Sequence, residues 1–374
     1  MNLFHRNDVH AKPISERVNK LDVRKLAEKV NAGPAGLSDE ARESVRAAAS
    51  AIRRAKELGA ARMLTYGAHS IKNGLGPTFA ALAEEGWITH FATNGAGIIH
   101  DWEFALQGKS GEDVHRYVSE GQFGIWEETG TYMNLALLIG AFRGFGYAES
   151  IAEMIDAERL ELDSAEALGD LLRGRPGSAD PDHLEKCAAV YDLMAAVSRT
   201  GLPGGGAVYD IPHPFREYSF IWRARKAGVT LTCHPMIGHD IIYTHPLCSP
   251  AAIGRCAERD FLAFAESVSN LKGGVYLSIG SAVMSPMIFE KALSMARNVA
   301  LRQGKAIDEF DIHVLDLAPS RWDWNSAGEP PADHPAYYLR FCKTFSRMGG
   351  RMTYTSADNA GWIPALLEEL RKDS

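Results

Sequence analysis

Two stretches decide the fold: Met63-Leu-Thr-Tyr66, with the turn Ala68-His-Ser-Ile-Lys-Asn73-Gly74 after it, and Ile88-Thr-His-Phe-Ala-Thr93, followed by Asn94-Gly-Ala-Gly97. Each opens with a short run that suits a buried strand and is too brief for a helix. Each then breaks at glycine and Asn-Gly turn signals. Helical spacing resumes over Thr78 to Glu85 and over Ile98 to Leu106. Strand, glycine turn and helix, twice in succession, are the pattern of a parallel sheet. The expected fold is α/β, with a doubly wound, Rossmann-like parallel sheet.

Upstream, Val18, Leu21 and Leu26 predict one helix in an N-terminal arm of residues 1–58. Ser38 is placed to cap a second helix that runs to about Leu58 and stops at Gly59. Downstream, residues 108–130 read as polar and irregular. Residues 134–200 read as a helical insertion, broken near Gly174-Arg-Pro-Gly177. A loop is predicted from Gly204 to Pro214. Alternation then returns, with strands at Val229–Cys233, Val275–Ile279, Asp311–Leu317 and Met352–Thr355. Helices are predicted at Phe215–Ala227, Asp260–Leu271, Pro286–Ala300, Ala336–Arg347 and Trp362–Arg371, with a loop over Pro319–Pro335. One continuous sheet in a single domain of 374 residues accounts for this order.

Hydrophobic residues make up 46% and charged residues 23%, which excludes a largely disordered chain. Forty basic against 47 acidic residues leave a net charge of −7, so no nucleic-acid partner is expected. The longest apolar stretch, Leu135 to Phe142, falls far short of the roughly 20 residues of a membrane span. No membrane partner and a cytoplasmic location are expected. Five cysteines without a Cys-x-x-Cys read as buried thiols.

Ligands of open parallel sheets bind at the carboxyl ends of the strands, where backbone amides and helix N-termini favour anions. Three turns fall there: Ser70, Asn73 and Gly74; Thr93, Asn94, Gly95, Ala96 and Gly97; Gly280, Ser281 and Ala282. None is Gly-x-Gly-x-x-Gly or a P-loop. Together they predict dinucleotide binding. His100-Asp101-Trp-Glu103 opens the helix after the second turn. Its acids either complement the helix dipole or hold a ribose hydroxyl or a proton. From His234 to His245, three imidazoles and Asp240 fall within twelve residues. General acid/base use of His239 or His245, oriented by Asp240, is one reading. Loop histidines capping backbone groups are another. The spacing fits no zinc pattern, so no metal is expected.

The order of these motifs resembles the deoxyhypusine synthase family over roughly residues 60–106 and 204–367. The resemblance is carried by Thr65-Tyr-Gly-Ala-His-Ser-Ile-Lys-Asn-Gly-Leu75, by Thr93 to Gly97 with His100-Asp101, by Asp240-Ile-Ile-Tyr-Thr-His245, by Leu277-Ser-Ile-Gly-Ser-Ala-Val283 and by Ser356-Ala-Asp358. It implies an NAD-binding, doubly wound sheet, a homotetramer, and the three turns on NAD with Asp101 and Asp358 at its ribose or nicotinamide. It also departs from the family. The Ser-Trp-Gly-Lys motif that carries the imine-forming lysine is absent, and the nearest lysine is Lys343. The polyamine-gripping acidic loop is replaced by Pro319-Ser-Arg-Trp-Asp-Trp-Asn, where Arg321 and Asp323 are substrate candidates beside Glu103. Asn94-Gly followed by His100-Asp-Trp-Glu103 is similar, more weakly, to ornithine-cyclodeaminase-type enzymes of arginine catabolism. The expected activity is NAD-dependent oxidation of a small amine, amino acid or polyol with hydride return, His245, Asp240 and His100 carrying protons. A simple dehydrogenase, a cyclodeaminase and a non-catalytic NAD-binding protein are the alternatives.

Overall fold

The computed structural model describes residues 1–31, 36–173, 180–202 and 205–372. The predicted helix break at Gly174–Gly177 and the start of the predicted loop at Gly204 lie outside them. The chain divides into two compact units. One, the sheet unit, is Val23–Gly97, Arg223–His234 and Phe261–Ser374. The other, the helical unit, is Met1–Asp22, Ile98–Trp222 and Pro235–Asp260.

The sheet unit holds six strands: β1 Arg62–Tyr66, β2 His90–Thr93, β3 Thr230–Cys233, β4 Val275–Ile279, β5 Asp311–Asp316 and β6 Arg351–Ser356. Every pairing is parallel and the spatial order is β3-β2-β1-β4-β5-β6. Leu64 lies opposite Phe91 on one side and Leu277 on the other. β1, β2 and β4 are buried along their whole length, which is why they lack the in–out alternation of a half-exposed strand. This is the doubly wound, Rossmann-like order, whose direction of winding reverses between β1 and β4. A core of Met63, Phe264, Tyr276, Phe289, Ile312 and Met352 packs in this unit. Tyr276 stacks on Phe289 at 4.2 Å between ring centroids.

The helices that matter for the site are α1 Asp39–Glu57, α2 Gly95–Gln107, α3 Glu127–Arg143, α4 Pro181–Thr200, α5 Met284–Arg302 and α6 Asn359–Arg371. Ser38 caps α1, accepting the Ala41 N–H at 3.2 Å, as predicted. The stop at Gly59 takes φ +64°, which glycine adopts without strain.

Several boundaries differ from expectation. The predicted turn Asn94–Gly97 is mostly helix, because the Asn94 Oδ1 accepts the Gly97 N–H at 2.9 Å and starts α2 at Gly95. Residues 108–130 are not irregular throughout. Asp113 caps a helix at Val114–Ser119, and α3 begins at Glu127. The predicted helix Phe215–Ala227 is a 3-10 turn at Arg216–Tyr218 and a separate helix at Phe220–Lys226. The helix expected from Asp260 begins at Pro250. Among the described residues no single helix is long and apolar enough to cross a membrane.

Candidate functional site: the crevice at the strand ends

Gly67 ends β1 and Gly280 ends β4, so they meet where the sheet reverses. The Gly67 N–H donates to the Ile279 carbonyl at 3.0 Å, and the Gly280 N–H to the Leu315 carbonyl at 2.8 Å. A Cβ added to Gly67 would stand 2.2 Å from the Gly280 carbonyl oxygen. Gly280 itself has φ +55°. Only glycine tolerates this approach, and it leaves bare backbone at the mouth of the crevice.

Side chains from two strand ends converge beside it. Ser70 is buried and accepts from Asn359 Nδ2 at 3.1 Å. Asn73 Nδ2 donates to Asn359 Oδ1 at 2.7 Å. Asn73 and Asp358, both predicted cofactor residues, line one cleft of about 460 Å³ together with Lys29, Ser38 and Ser356. Asp358 also caps α6, accepting the Ala360 N–H at 3.0 Å. Gly74 has a packing reason of its own, since a Cβ there would lie 2.7 Å from Leu26. At the end of β2, the Thr93 hydroxyl donates to the Tyr66 carbonyl at 3.0 Å, and Gly97 sits where a Cβ would strike the Thr93 Oγ1. Gly95 and Ala96 form the first turn of α2. Beyond β4, Ser281 Oγ accepts the Ser285 N–H at 3.3 Å, and Ala282 is exposed. Beneath this turn, hydroxyls run from Thr65 through Tyr276 (2.7 Å) to Ser285 (2.9 Å), tying β1, β4 and α5 together.

The helical unit holds other predicted residues, and their partners define them. Asp101 is fully buried. It accepts from the Ser219 hydroxyl, from Phe220 N–H at 2.8 Å and from Ile221 N–H at 3.3 Å. Burial raises its pKa to about 6, against those three bonds. Its carboxylate starts the helix at Phe220, a structural use of the residue expected at a cofactor ribose. Glu103 is equally committed. Arg17 grips it with two bonds of 2.8 and 2.7 Å, and Ser110 and Thr129 donate at 2.6 and 3.1 Å. Burial opposes its charge, and Arg17 outweighs burial, holding Glu103 below the ordinary carboxylate range. These four bonds engage the carboxylate that was expected at the substrate.

His100 and His245 face opposite ways in the chemical sense. The short Ser110–Glu103 bond commits the serine proton to the carboxylate, so Ser110 Oγ accepts from His100 Nδ1 at 2.7 Å. The basic nitrogen of His100 is therefore Nε2. In His245, Nδ1 accepts the Leu247 N–H at 3.2 Å, which puts the proton on Nε2, 3.3 Å from Thr131 Oγ1 and 3.9 Å from Glu127. Burial lowers its pKa and Glu127 opposes that shift. In this arrangement the His245 Nε2, expected as a general base, donates to the Thr131 hydroxyl. Asp240 is buried and precedes the 3-10 turn Ile241–Thr244, while His239 is exposed.

His234 belongs to the sheet unit. With His90 it flanks the Thr232 hydroxyl, at 3.0 and 2.9 Å, and both rings pack edge-on against Phe264. Burial takes both pKa values down to about 3. Among the described residues no group of three or more His, Cys, Asp or Glu gathers as a metal site.

The remaining candidates carry ordinary structural contacts. Lys343 pairs with Glu329 at 2.6 Å and lies 3.6 Å from the centre of the Tyr337 ring. Both contacts engage the ammonium in the fold, against its reading as an imine-forming nucleophile. Asp323 accepts the Asn325 and Ser326 N–H groups at 3.0 and 3.1 Å and so shapes its own turn. Arg321 is exposed. Sequence reasoning missed Gly67 and Asn359. Gly67 follows a predicted strand directly, a signal that was there to read. Asn359 carries no local signal.

No family model and no curated protein matches the chain. Among solved structures, it is similar to a conserved LOR/SDH protein from Methanococcus maripaludis S2 at 11% identity and a TM-score of 0.42, over 91% of this chain and 70% of that one. It is similar to AgrE, solved as a ternary complex with ornithine and NAD+, at 13% identity and 0.43, over 91% and 34%. It is similar to ArgZ, an arginine dihydrolase of the ornithine–ammonia cycle in cyanobacteria, at 12% and 0.41, over 88% and 33%. The chain spans about a third of the length of AgrE and ArgZ. Likenesses this loose assign no activity, and none of the three is a deoxyhypusine synthase. What stands of that resemblance is the Rossmann-like α/β class.

Proposed function

We propose that the protein is an enzyme that binds NAD in the crevice between β1 and β4 and acts on a small amine or amino acid, in the manner of a cyclodeaminase. The observation that carries this reading is the contact of Gly67 with the Gly280 carbonyl at the reversal of a β3-β2-β1-β4-β5-β6 sheet. Dinucleotides bind at that position in such sheets because backbone there can approach a pyrophosphate. The first turns of α2 and α5 supply N–H groups for the phosphates. Ser70, Asn73 and Asn359 supply a preorganised amide and hydroxyl set, and Asp358 an acceptor for ribose hydroxyls. Bound NAD supplies hydride transfer.

Aminobutyl transfer of the deoxyhypusine type is the weaker alternative, because it needs a free nucleophilic lysine and Lys343 is paired with Glu329. The test is to denature the purified protein, assay the released small molecules for NAD, and follow melting with added NAD. Released NAD or a clear rise in Tm is the expected result. Turnover of ornithine without accumulation of NADH would favour hydride return, and accumulation of NADH a dehydrogenase. Absence of NAD together with no shift in Tm overturns the cofactor reading.

A further inference from the structure

The helical unit contains a second cavity, of about 240 Å³, whose lining residues all belong to that unit. Its polar lining is His245, Glu127, Thr131, Asn7, Arg199 and Thr200. The groups on α3 are ordered by one another. The Thr131 hydroxyl donates to Glu127 at 2.9 Å and lies 3.3 Å from His245 Nε2, which carries the proton because Nδ1 takes the Leu247 N–H. Gly130 makes this possible, since a Cβ there would stand 2.4 Å from the His245 ring. The chain from His245 through Thr131 to Glu127 thus fixes a carboxylate in the cavity wall. Arg199, in the last turn of α4, supplies a guanidinium in the same lining. Val9, Leu202 and Leu247 supply apolar surface.

We propose that this cavity binds a free α-amino acid with a short apolar side chain, its ammonium on Glu127 and its carboxylate on Arg199. One fixed anion and one cation match a zwitterion. A dianion would have to face Glu127, and a diamine would bring excess positive charge towards Arg199, so both are disfavoured. The volume is below the roughly 300 Å³ at which drug-sized ligands begin to fit, and suits a molecule of amino-acid size. With its His245 nitrogens spent on Leu247 and Thr131, the cavity holds a ligand and does not move a proton. It is independent of the NAD reading, because no residue named for one is named for the other.

The experiment is calorimetric titration of the full chain with L-leucine, and separately with 4-methylpentanoate and isoamylamine, which each lack one charge. L-leucine is expected to bind, and each single-charge analogue to bind at least about tenfold more weakly. Arg199→Ala is a change on an exposed side chain that leaves the fold in place. It and Glu127→Gln should each weaken L-leucine by about tenfold or more while leaving the NAD-induced rise in Tm as it is. No binding of L-leucine, equal binding of either analogue or of L-ornithine, or full affinity in both variants would overturn the proposal.

Discussion

The buried histidines of the sheet unit make the protein sensitive to acid. His90 and His234 are held at a pKa of about 3 and His313 at about 4, in each case first by burial. Their ordinary value is near 6.5, so between the two values the unfolded chain binds more protons than the folded one. The stability they contribute is complete above about pH 6.5 and is lost as the pH falls, by about 1.4 kcal/mol per pH unit for each histidine. Asp101 has the opposite sign. Its pKa is raised to about 6, so it adds stability as the pH falls below that value. Urea midpoints measured from about pH 7 down to about pH 5 should fall steadily, and His90→Gln should flatten the slope. A midpoint that does not move over this range would contradict the account. Asp101 allows a second test at the same scale. Asp101→Ala strands two backbone N–H groups and should cost about 3 kcal/mol with no effect on NAD affinity. A ribose ligand would show the reverse pattern in a binding titration and a melt.

Among the elements, those whose register is set locally were the legible ones. β4 was readable to the residue as Val275–Ile279, because its short, mostly apolar run is bounded by Gly274 and Gly280. α1 was readable from its Ser38 cap. The helix at Phe220 was legible but its start was not, because the carboxylate that sets that start belongs to Asp101, more than a hundred residues upstream. The short helix at Val114–Ser119 had its signal in Asp113, which is easily passed over in a polar stretch. α5 docks on the sheet through Phe289, which stacks on Tyr276 and meets Phe310 and Phe345. Phe289→Ala should therefore cost about 3–5 kcal/mol, seen as a lower urea midpoint with the unfolding slope unchanged. A loss under about 1 kcal/mol would mean that this core closes over the cavity, and that α5 is not fixed by it.

Taken as a whole, the molecule shows why the site was partly legible. The three turns were readable because strand ends in a parallel sheet share one edge, so each βα junction announces itself in the sequence. Their meeting was not readable. Gly67 and Gly280 are brought together by β1 pairing with β4, across more than two hundred residues that include most of the helical unit. Asn359 reaches Ser70 and Asn73 only through α6. The histidine-rich segment is divided between units: His234 belongs to the sheet unit, and His239, Asp240 and His245 to the helical one. The central claim is that the crevice at the sheet reversal holds NAD. Asp358→Ser tests it most directly, because serine still caps α6 but lacks the carboxylate. Calorimetric titration of NAD+ should show binding to the wild type, and an affinity about tenfold weaker in Asp358→Ser at an unchanged Tm. No heat of binding in the wild type, or equal affinity in the variant, would contradict the account.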